Sequence, residues 1–309
     1  MKAKNNVKLT FVSLLLGLGY LASNAQGVVV YKKDGSKIKV PYEQLDSIST
    51  YDYDDVPGGG DVTPGEPRTF TVNGVSFKMI PVKAGTFTMG ATSEQTGAYD
   101  DEKPAHQVTL TQDYYMGETE VTQALWEAVT GYSPTSGGDQ WSSTYGVGYG
   151  YPAYYISYED VQSFIGKLNS LTGETFRMPT EAEWEYAARG GSESKGYRYS
   201  GSNTPDNVAW YRDNSGDKTH PVKTKAPNEL GLYDMSGNVY EWCSDWFSSS
   251  YYSSSASSDP EGPTSGSYRV GRGGSWNSNA AYCRVAARGI NTPSHRYYGV
   301  GFRLALSSK

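Results

Sequence analysis

The sequence has 309 residues, among them 27 tyrosines and 36 glycines, and a formal net charge of −6. Loss of an N-terminal leader with three lysines and no acids would leave 24 basic and 33 acidic residues, a net charge of −9. This charge argues against nucleic-acid binding, which needs a basic surface. The many aromatic residues and glycines favour a fold with long loops over a helical bundle.

Residues 1–25 have the pattern of a secretory leader. A lysine-rich start is followed by an apolar stretch, Leu9–Leu21, and by a small-residue cleavage site that ends at Ala25. The apolar stretch is too short and too interrupted for a membrane span. We therefore expect export to the periplasm, the cell surface or the medium, with no membrane span after leader removal.

Two short segments precede the main domain. Residues 26–51 contain two β-rich runs around Asp34-Gly35, a strong hairpin turn signal. Residues 52–67 are acidic and rich in Gly and Pro, which is typical of a linker. An isolated hairpin is marginally stable, so this one is expected to dock elsewhere or to pair with a partner. The main domain is predicted to span residues 68–309.

The main domain is predicted to begin with strands and to continue with three helices. An Asn73-Gly74 turn between alternating apolar positions indicates a hairpin, and another strand begins at His106. Each helix has a capping residue at its start and a glycine at its end. These pairs are Thr122 and Gly131, Ser157 and Gly173, and Thr180 and Gly190.

The second helix has the clearest apolar face, formed by Val161, Phe164, Ile165, Leu168 and Leu171. By contrast, residues 137–155 are rich in Gly, Ser and Tyr and show no periodicity, which predicts a surface loop. Strands and turns dominate the remainder of the chain. A few helices among strands and loops predict an α+β fold.

The C-terminal segment has an unusual composition. Residues 277–301 contain no Lys, Asp, Glu, Gln or Met, and are instead rich in Asn, Ser, Tyr, Arg and small residues. Tyr gives rigid contact area, while Ser, Asn and Gly give adaptable hydrogen bonds, so the segment suits a binding surface. An ordinary surface loop is the alternative. On its C-terminal side, Phe302, Leu304 and Leu306 alternate as in a half-buried strand.

Several long motifs resemble the sulfatase-modifying factor (formylglycine-generating enzyme) family. The resemblance covers about residues 70–306 and implies an irregular α+β, C-type-lectin-like domain. The motifs are GETEVT (117–122), RMPTEAEWEYAARGG (177–191), GLYDMSGNVYEW (231–242), RGGSW (272–276) and GFR (301–303).

The resemblance also implies an activity that this sequence does not support. Enzymes of the family oxidise a substrate cysteine with oxygen and with copper held by two cysteines, and paired thiolates do select Cu(I). Ser278 stands where the first of these is expected, and Cys283 is the one cysteine in the interval. No copper is therefore expected. If the protein is nevertheless an oxidase, Cys283 is the catalytic residue, alone or with Cys243.

The C-terminal segment resembles, in addition, the variable region of proteins diversified by retroelements. This resemblance implies a surface that binds a protein or glycan ligand. Arg284, Arg288, Pro293 and residues 301–303 would then be scaffold. The implied ligand contacts are Asn277, Ser278, Asn279, Ala281, Tyr282, Ala287, Asn291, His295, Tyr297 and Tyr298.

Structural calcium is the one cofactor that the family resemblance implies. Calcium prefers six to eight oxygen ligands from carboxylates and carbonyls. One implied site uses Asn207 and the Val208 carbonyl, with Asp213 and Asp217 nearby. The other uses Asp234, the carbonyls of Gly237 and Val239, and Glu241. The alternative is that these acids belong to turns and to the surface.

The remaining reactive residues are assigned structural roles. In an exported protein, Cys243 and Cys283 are predicted to form a disulfide, with buried thiols or a metal pair as alternatives. His106 and His220 lie beside strand-like segments and are predicted to be structural. Glu181, Glu183 and Glu185 lie at a helix start, where acids are favoured, and Trp184 and Trp242 are predicted to be core residues rather than a glycan platform.

Three functions remain open at this point. The first is an exported, non-enzymatic ligand-binding protein with a C-terminal binding surface. The second is a formylglycine-generating copper oxidase that acts on a cysteine of sulfatases. The third is a structural component of the cell surface.

Overall fold

The chain divides into two compact units, Met1–Asp61 and Val62–Lys309. The computed structural model describes the backbone of residues 27–31 and 37–41, and residues 65–134 and 140–308 in full.

The first unit contains the predicted hairpin strands. β1 (Gly27–Tyr31) pairs antiparallel with β2 (Lys37–Pro41) over five residues each. The leader, the Asp34-Gly35 turn and most of the linker lie outside the described residues.

Among its described residues, the second unit combines short strands with four α-helices, which confirms the predicted α+β class. Its strands are β3 (Arg68–Val72), β4 (Val75–Val82), β5 (Gly85–Met89), β6 (His106–Leu110), β7 (Tyr114–Gly117), β8 (Phe176–Arg177), β9 (Ala209–Trp210), β10 (Ser236–Gly237), β11 (Tyr240–Trp246), β12 (Arg269–Arg272), β13 (Arg288–Asn291), β14 (Val300–Gly301) and β15 (Ala305–Ser307). Its helices are α1 (Gln123–Thr130), α2 (Tyr158–Thr172), α3 (Glu181–Ala188) and α4 (Pro205–Val208).

Two sheets include the C-terminal segment. The larger has the order β3-β4-β7-β15-β8, so the chain's last strand lies between two earlier ones. The smaller has the order β13-β12-β11-β14. Asn73 and Gly74 form the predicted hairpin turn with φ of 47° and 81°, the positive values that a type I′ turn requires.

The predicted helix ends are confirmed. The side chains of Thr122, Ser157 and Thr180 each accept a hydrogen bond from the backbone amide three residues later. Gly131 and Gly173 end α1 and α2 in the left-handed conformation, which glycine adopts without steric cost. These signals are local, which is why the sequence alone could place them.

One core packs α1 and α2 against the larger sheet. Trp126 stacks on Phe164 at 5.3 Å, and Phe302 contacts both rings edge-on. The predicted apolar face of α2 is confirmed for Val161, Phe164 and Leu168, which are at most 1% exposed. The inclusion of Leu171 is wrong: this residue lies in the last turn of α2 and is 53% exposed.

A second core packs α3 between β5–β6 and the smaller sheet. Trp184 is fully buried there, and Trp242 is fully buried in the first core, so both are core residues as predicted. Buried arginines cross this region, each paired with a carboxylate from a distant segment. These pairs, called here the arginine framework, are Arg272–Glu185, Arg284–Glu102, Arg288–Glu181 and Arg303–Glu241.

Candidate functional site

The arginine framework anchors the C-terminal segment at Arg284 and just past its end at Arg303. Arg284 donates to both oxygens of Glu102 at 2.6 Å, and Arg303 donates to both oxygens of Glu241 at 2.6 and 2.7 Å. Breaking a buried ion pair typically costs about 3–5 kcal/mol, because it leaves an uncompensated charge. The scaffold role predicted for these arginines is confirmed, and the predicted ligand contacts lie on both sides of Arg284 and before Arg303.

A tight glycine turn begins the segment. Gly273 and Gly274 have φ of 92° and 74°, and a Cβ on Gly274 would lie 2.8 Å from the Cys283 Sγ. Larger residues would therefore be strained and would also clash. The turn brings residues 275–278 next to the loop that precedes β14, since the Trp276 indole donates to the Tyr298 carbonyl at 3.1 Å.

The predicted ligand contacts are, with one exception, accessible. Asn279 and His295 are exposed, and seven others are half-buried: Asn277, Ser278, Ala281, Tyr282, Asn291, Tyr297 and Tyr298. Ala287 is the exception. It is 2% exposed, and its carbonyl accepts a hydrogen bond from Arg272, so its assignment as a ligand contact is wrong.

Four half-buried tyrosines pack with the buried Trp276 at this surface, and we call Tyr145, Tyr155, Trp276, Tyr297 and Tyr298 the tyrosine cluster. Tyr298 lies at its centre: it stacks on Tyr145 at 4.7 Å, with 8° between the ring planes, and contacts Tyr297 at 4.0 Å. The Trp276 ring lies 5.2 Å from the Tyr298 ring, and the Tyr155 ring contacts the Tyr298 ring edge-on at 6.3 Å. Such ring pairs each contribute about 0.5–1.5 kcal/mol beyond area burial.

Hydrogen bonds orient the polar groups of the cluster. The Asn277 amide donates to the Tyr297 hydroxyl at 3.0 Å, and this hydroxyl donates to that of Tyr298 at 2.6 Å. The Ser275 hydroxyl donates to Asn277 Oδ1 at 2.6 Å and also lies 3.0 Å from the Ser278 hydroxyl. The shared hydrogen bond with Tyr297 raises the pKa of Tyr298, so the Tyr298 phenol is protonated at neutral pH.

A second, smaller group surrounds Tyr282. Its ring stacks on that of Tyr99 at 5.3 Å, and Tyr99 is 40% exposed. The hydrogen bond between the two hydroxyls raises the pKa of Tyr99. At the far end of the segment, His295 Nδ1 lies 3.2 Å from Asn291 Oδ1, and its ring stacks on Tyr297. The accessible surface therefore extends beyond the tyrosine cluster.

Sequence reasoning missed three of these tyrosines. Tyr99, Tyr145 and Tyr155 lie far from the C-terminal segment in sequence, and the fold brings them to it. One signal was available: residues 140–155 share the Tyr, Gly and Ser composition of the tail.

The cysteines do not form the predicted disulfide. Cys243 and Cys283 are both free and fully buried. Cys243 packs in the second core, whereas Cys283 packs with another group that includes Tyr199 and Tyr211. The disulfide prediction is therefore wrong, and the alternative of buried thiols describes both residues. The two thiols therefore lie in different hydrophobic clusters.

The residues near Cys283 do not fit a two-thiolate copper site. Burial raises the pKa of the Cys283 thiol to about 12, so the thiolate that binds copper is scarce at neutral pH. Ser278 offers a hydroxyl, which hydrogen-bonds within its own turn and accepts from the Ser275 amide at 3.1 Å. We therefore derive no reaction step through copper.

The calcium sites stay predictions. Asp234 is buried and accepts from the Lys223 amide at 2.9 Å, while both oxygens of Glu241 are held by Arg303 and one also by the Trp184 indole. This donor set does not fit calcium while the Arg303 pair is intact. Among the described residues, no group of three or more His, Cys, Asp or Glu side chains is arranged to hold a metal.

At the other implied calcium site, Asn207 and Val208 lie in α4. The Asn207 side chain donates to the Ser202 hydroxyl at 3.3 Å, and its carbonyl accepts from the Ala226 amide at 3.0 Å. Val208 is buried. The polar groups of Asn207 are thus hydrogen-bonded to nearby residues, and the Val208 side chain is part of the core.

The histidine assignments agree with the structure. His106 Nδ1 lies 3.0 Å from the Pro104 carbonyl. His220 Nε2 lies 2.7 Å from the Ser215 carbonyl, and its ring stacks on Trp210 at 3.7 Å. Burial lowers the pKa of His220, so it is neutral near pH 7. No catalytic pair involves either ring within the described contacts.

A cleft of about 830 Å³ lies away from this surface, between α2, α3 and the end of β15. It contains the Arg177–Glu183 ion pair and none of the ten predicted ligand contacts. Concave pockets are the usual sites for small molecules. The tyrosine cluster is instead an accessible surface, which suits a larger ligand. In the described part of the chain, no helix has the length and apolar character to cross a membrane.

Comparisons with known proteins agree with this architecture. A family model described as "Sulfatase-modifying factor enzyme 1-like domain" matches residues 64–308. The formylglycine-generating enzyme of Streptomyces coelicolor is 32% identical over 283 residues, which cover 73% of this chain and 88% of that protein.

Two solved structures share the fold over nearly their whole length. Treponema denticola variable protein 1 superposes with a TM-score of 0.69 at 35% identity, covering 78% of this chain and 99% of that one. PvdO from Pseudomonas aeruginosa superposes with a TM-score of 0.66 at 30% identity, covering 80% and 99%. The predicted fold of the formylglycine-generating-enzyme type is confirmed, and the chain belongs to the sulfatase-modifying factor family.

Proposed function

We propose that this chain is an exported, non-enzymatic member of its family that binds a protein or glycan through its C-terminal surface. The observation that carries the proposal is the tyrosine cluster. It gathers four half-buried tyrosines around the buried Trp276, and its two C-terminal tyrosines come from a segment that buried arginine pairs hold at Arg284 and just past its end at Arg303.

Rigid aromatic side chains suit this role for a physical reason. A tyrosine has few rotatable bonds, so it gives a large contact area at a low cost in conformational entropy. In the cluster, stacking and the Asn277–Tyr297–Tyr298 hydrogen bonds restrict the rings further before any ligand arrives. The likeness to a structure named a variable protein also supports a surface whose residues can change on a constant scaffold.

Substitution of the cluster tests the proposal. Wild type and a Tyr297→Ala/Tyr298→Ala variant would be applied to an array of glycans and to a panel of purified cell-surface proteins. We expect a ligand of the wild type to lose about tenfold or more in affinity. Tyr268→Ala, at a 43% exposed tyrosine outside the cluster, is the matched control. A ligand bound equally by all three proteins would refute the proposal.

Gene neighbourhood gives an independent test of diversification. A reverse transcriptase gene beside a near-copy of the codons for residues 272–304 would support the variable-surface interpretation. Their absence would leave a ligand-binding module with a fixed surface.

The second candidate is an oxidase of the formylglycine-generating type, which the named enzyme relatives favour. Ser278 and the raised pKa of Cys283 count against it. Titration with Cu(I), followed by an oxidation assay on a cysteine-containing sulfatase peptide, separates the two. Thiolate-bound Cu(I) with peptide turnover would establish the enzyme, and neither is expected.

A further inference from the structure

We infer that residues 140–155 complete the ligand surface, and that this surface takes an uncharged, proline-rich peptide. The inference rests on the proposed function and assigns it a second chain segment and a ligand class. The composition of the C-terminal segment does not predict a role for residues 140–155, which lie more than a hundred residues earlier in the sequence.

The loop holds Tyr145 in place through its backbone. The Tyr145 carbonyl accepts from the Thr219 amide at 3.0 Å and from the Thr219 hydroxyl at 2.6 Å. The next residue, Gly146, has φ of 100°, and a Cβ there would lie 2.3 Å from that hydroxyl. Thr219 is itself fully buried. This clamp sets the position from which Tyr145 stacks on Tyr298, so Thr219 is a positioning residue.

Tyr155 has a backbone conformation that is unfavourable for a tyrosine. Its φ of 58° lies in the left-handed region, where a bulky residue is strained. Its amide donates to the Tyr297 carbonyl at 3.0 Å, and its ring contacts Tyr145 and Tyr298. Glycine or asparagine would fit this backbone better. A strained residue of this kind is a reason to infer function, and here it adds a ring to the ligand surface.

The low charge of the three segments that carry the tyrosine cluster limits the ligand class at the cluster itself. Residues 140–158, 273–283 and 289–300 contain a single Lys, Arg, Asp or Glu, which is Arg296. Arg296 donates to both oxygens of Asp160 at 2.8 and 2.9 Å. A charged ligand would therefore lose hydration without gaining an opposite charge from these segments.

Hydrogen bonding narrows the class to proline-rich peptides. The Tyr298 hydroxyl accepts from Tyr297, and within the described contacts its own hydrogen meets no acceptor. The cluster therefore offers flat rings and an available donor. A polyproline helix presents apolar rings and carbonyl acceptors, has no backbone donors, and is known to dock on aromatic-lined surfaces. A glycan would bring many hydroxyl donors that need acceptors.

A fluorescein-labelled decaproline peptide is the probe, with fluorescence anisotropy as the measurement. We expect saturable binding to the full chain that changes little between low and high salt, because screening acts on charges. Tyr145→Ala and Tyr155→Asn should each weaken binding by about fivefold to tenfold, and Thr219→Val should weaken it less. Circular dichroism melts would confirm that each variant is folded.

A tyrosine of the same loop gives the matched control. Tyr149 is 77% exposed and lies outside the cluster, so Tyr149→Ala should bind decaproline as the wild type does. Tyr155→Asn distinguishes binding from structure, because asparagine tolerates the left-handed backbone and should keep the melting temperature while the affinity falls.

Two outcomes would overturn the inference and leave the proposed function intact. In the first, the wild type does not bind decaproline but binds a glycan or protein, and this binding depends on Tyr297 and Tyr298. In the second, decaproline binding depends on those two residues and is unchanged by Tyr145→Ala and Tyr155→Asn. Binding of decaproline that no cluster substitution affects would contradict both proposals.

Discussion

The arginine framework and the tyrosine cluster both draw residues from the C-terminal stretch of the chain but are built in different ways. In the framework, Arg284 and Arg303 are fully buried and each is held by two charged hydrogen bonds. In the cluster, half-buried Tyr297 and Tyr298 are held by ring contacts and neutral hydrogen bonds. Stability is thus concentrated in residues that cannot change, which leaves the accessible residues free to vary.

The largest expected effect comes from breaking the framework. Arg284→Met leaves the buried Glu102 carboxylate without its partner and should lower the free energy of unfolding by about 3–5 kcal/mol. Urea denaturation measures this change. Arg296→Met, which breaks the half-exposed pair with Asp160, is the control and should cost about 1 kcal/mol or less. Equal losses from the two variants would remove the distinction between framework and surface.

Beside the framework lies a buried carboxylate, Asp245, that pairs with no arginine among the described ion pairs. Asp245 is buried and accepts from the Glu181 amide at 2.8 Å, and burial followed by repulsion from Glu181 raises its pKa to about 8. The unfolded chain loses this proton near pH 4, so between pH 4 and 8 only the folded state retains it. The Asp245 contribution to stability therefore falls as pH rises, by up to about 1.4 kcal/mol per pH unit.

Asp245→Asn should remove this decline, because an amide accepts the same hydrogen bond and does not titrate. Urea midpoints of the wild type and the variant, measured between about pH 5 and about pH 8, give the difference in slope. Asp213→Asn, at a 69% exposed side chain, should leave the slope unchanged. Parallel pH profiles for wild type and Asp245→Asn would show that Asp245 is already ionised when folded.

A smaller effect is expected in the cluster. Tyr298→Ala removes stacking on Tyr145 and Tyr297 and should cost about 1–2 kcal/mol in the free energy of unfolding. Trp242→Ala in the first core is the comparison and should cost about 3–5 kcal/mol. A loss for Tyr298→Ala as large as that for Trp242→Ala would make Tyr298 a core residue.

The smallest effect concerns the thiols. Because Cys243 and Cys283 are buried and burial raises the pKa of both, a thiol reagent at neutral pH should not modify the folded protein. After denaturation without reductant, both should react. A denatured protein with no reactive thiol would restore the disulfide that the structure contradicts.

Local signals explain most of what the sequence predicted correctly. Thr122, Ser157 and Thr180 cap their helices through contacts within a few residues, and Asn73-Gly74 needs only its own φ angles. The family motifs added the fold and the scaffold arginines. These predictions did not depend on knowing which distant segments meet.

Long-range packing explains the failures. Tyr145 and Tyr155 join the cluster only because the Thr219 clamp and the Tyr297 carbonyl bring their loop to the tail. The disulfide prediction relied on export and on a count of two cysteines, and neither reveals that the thiols pack in different groups. Ala287 lies within the C-terminal segment, but its side chain is buried.

The central claim is that the accessible tail can change while the framework cannot. The most direct test compares the free energy of unfolding of Arg284→Met with that of one variant carrying Asn279→Ser, Asn291→Ser, His295→Asn and Tyr297→His together. We predict that the four tail substitutions cost less than the single framework substitution. A tail variant that loses as much stability as Arg284→Met, or that fails to fold, would contradict the account.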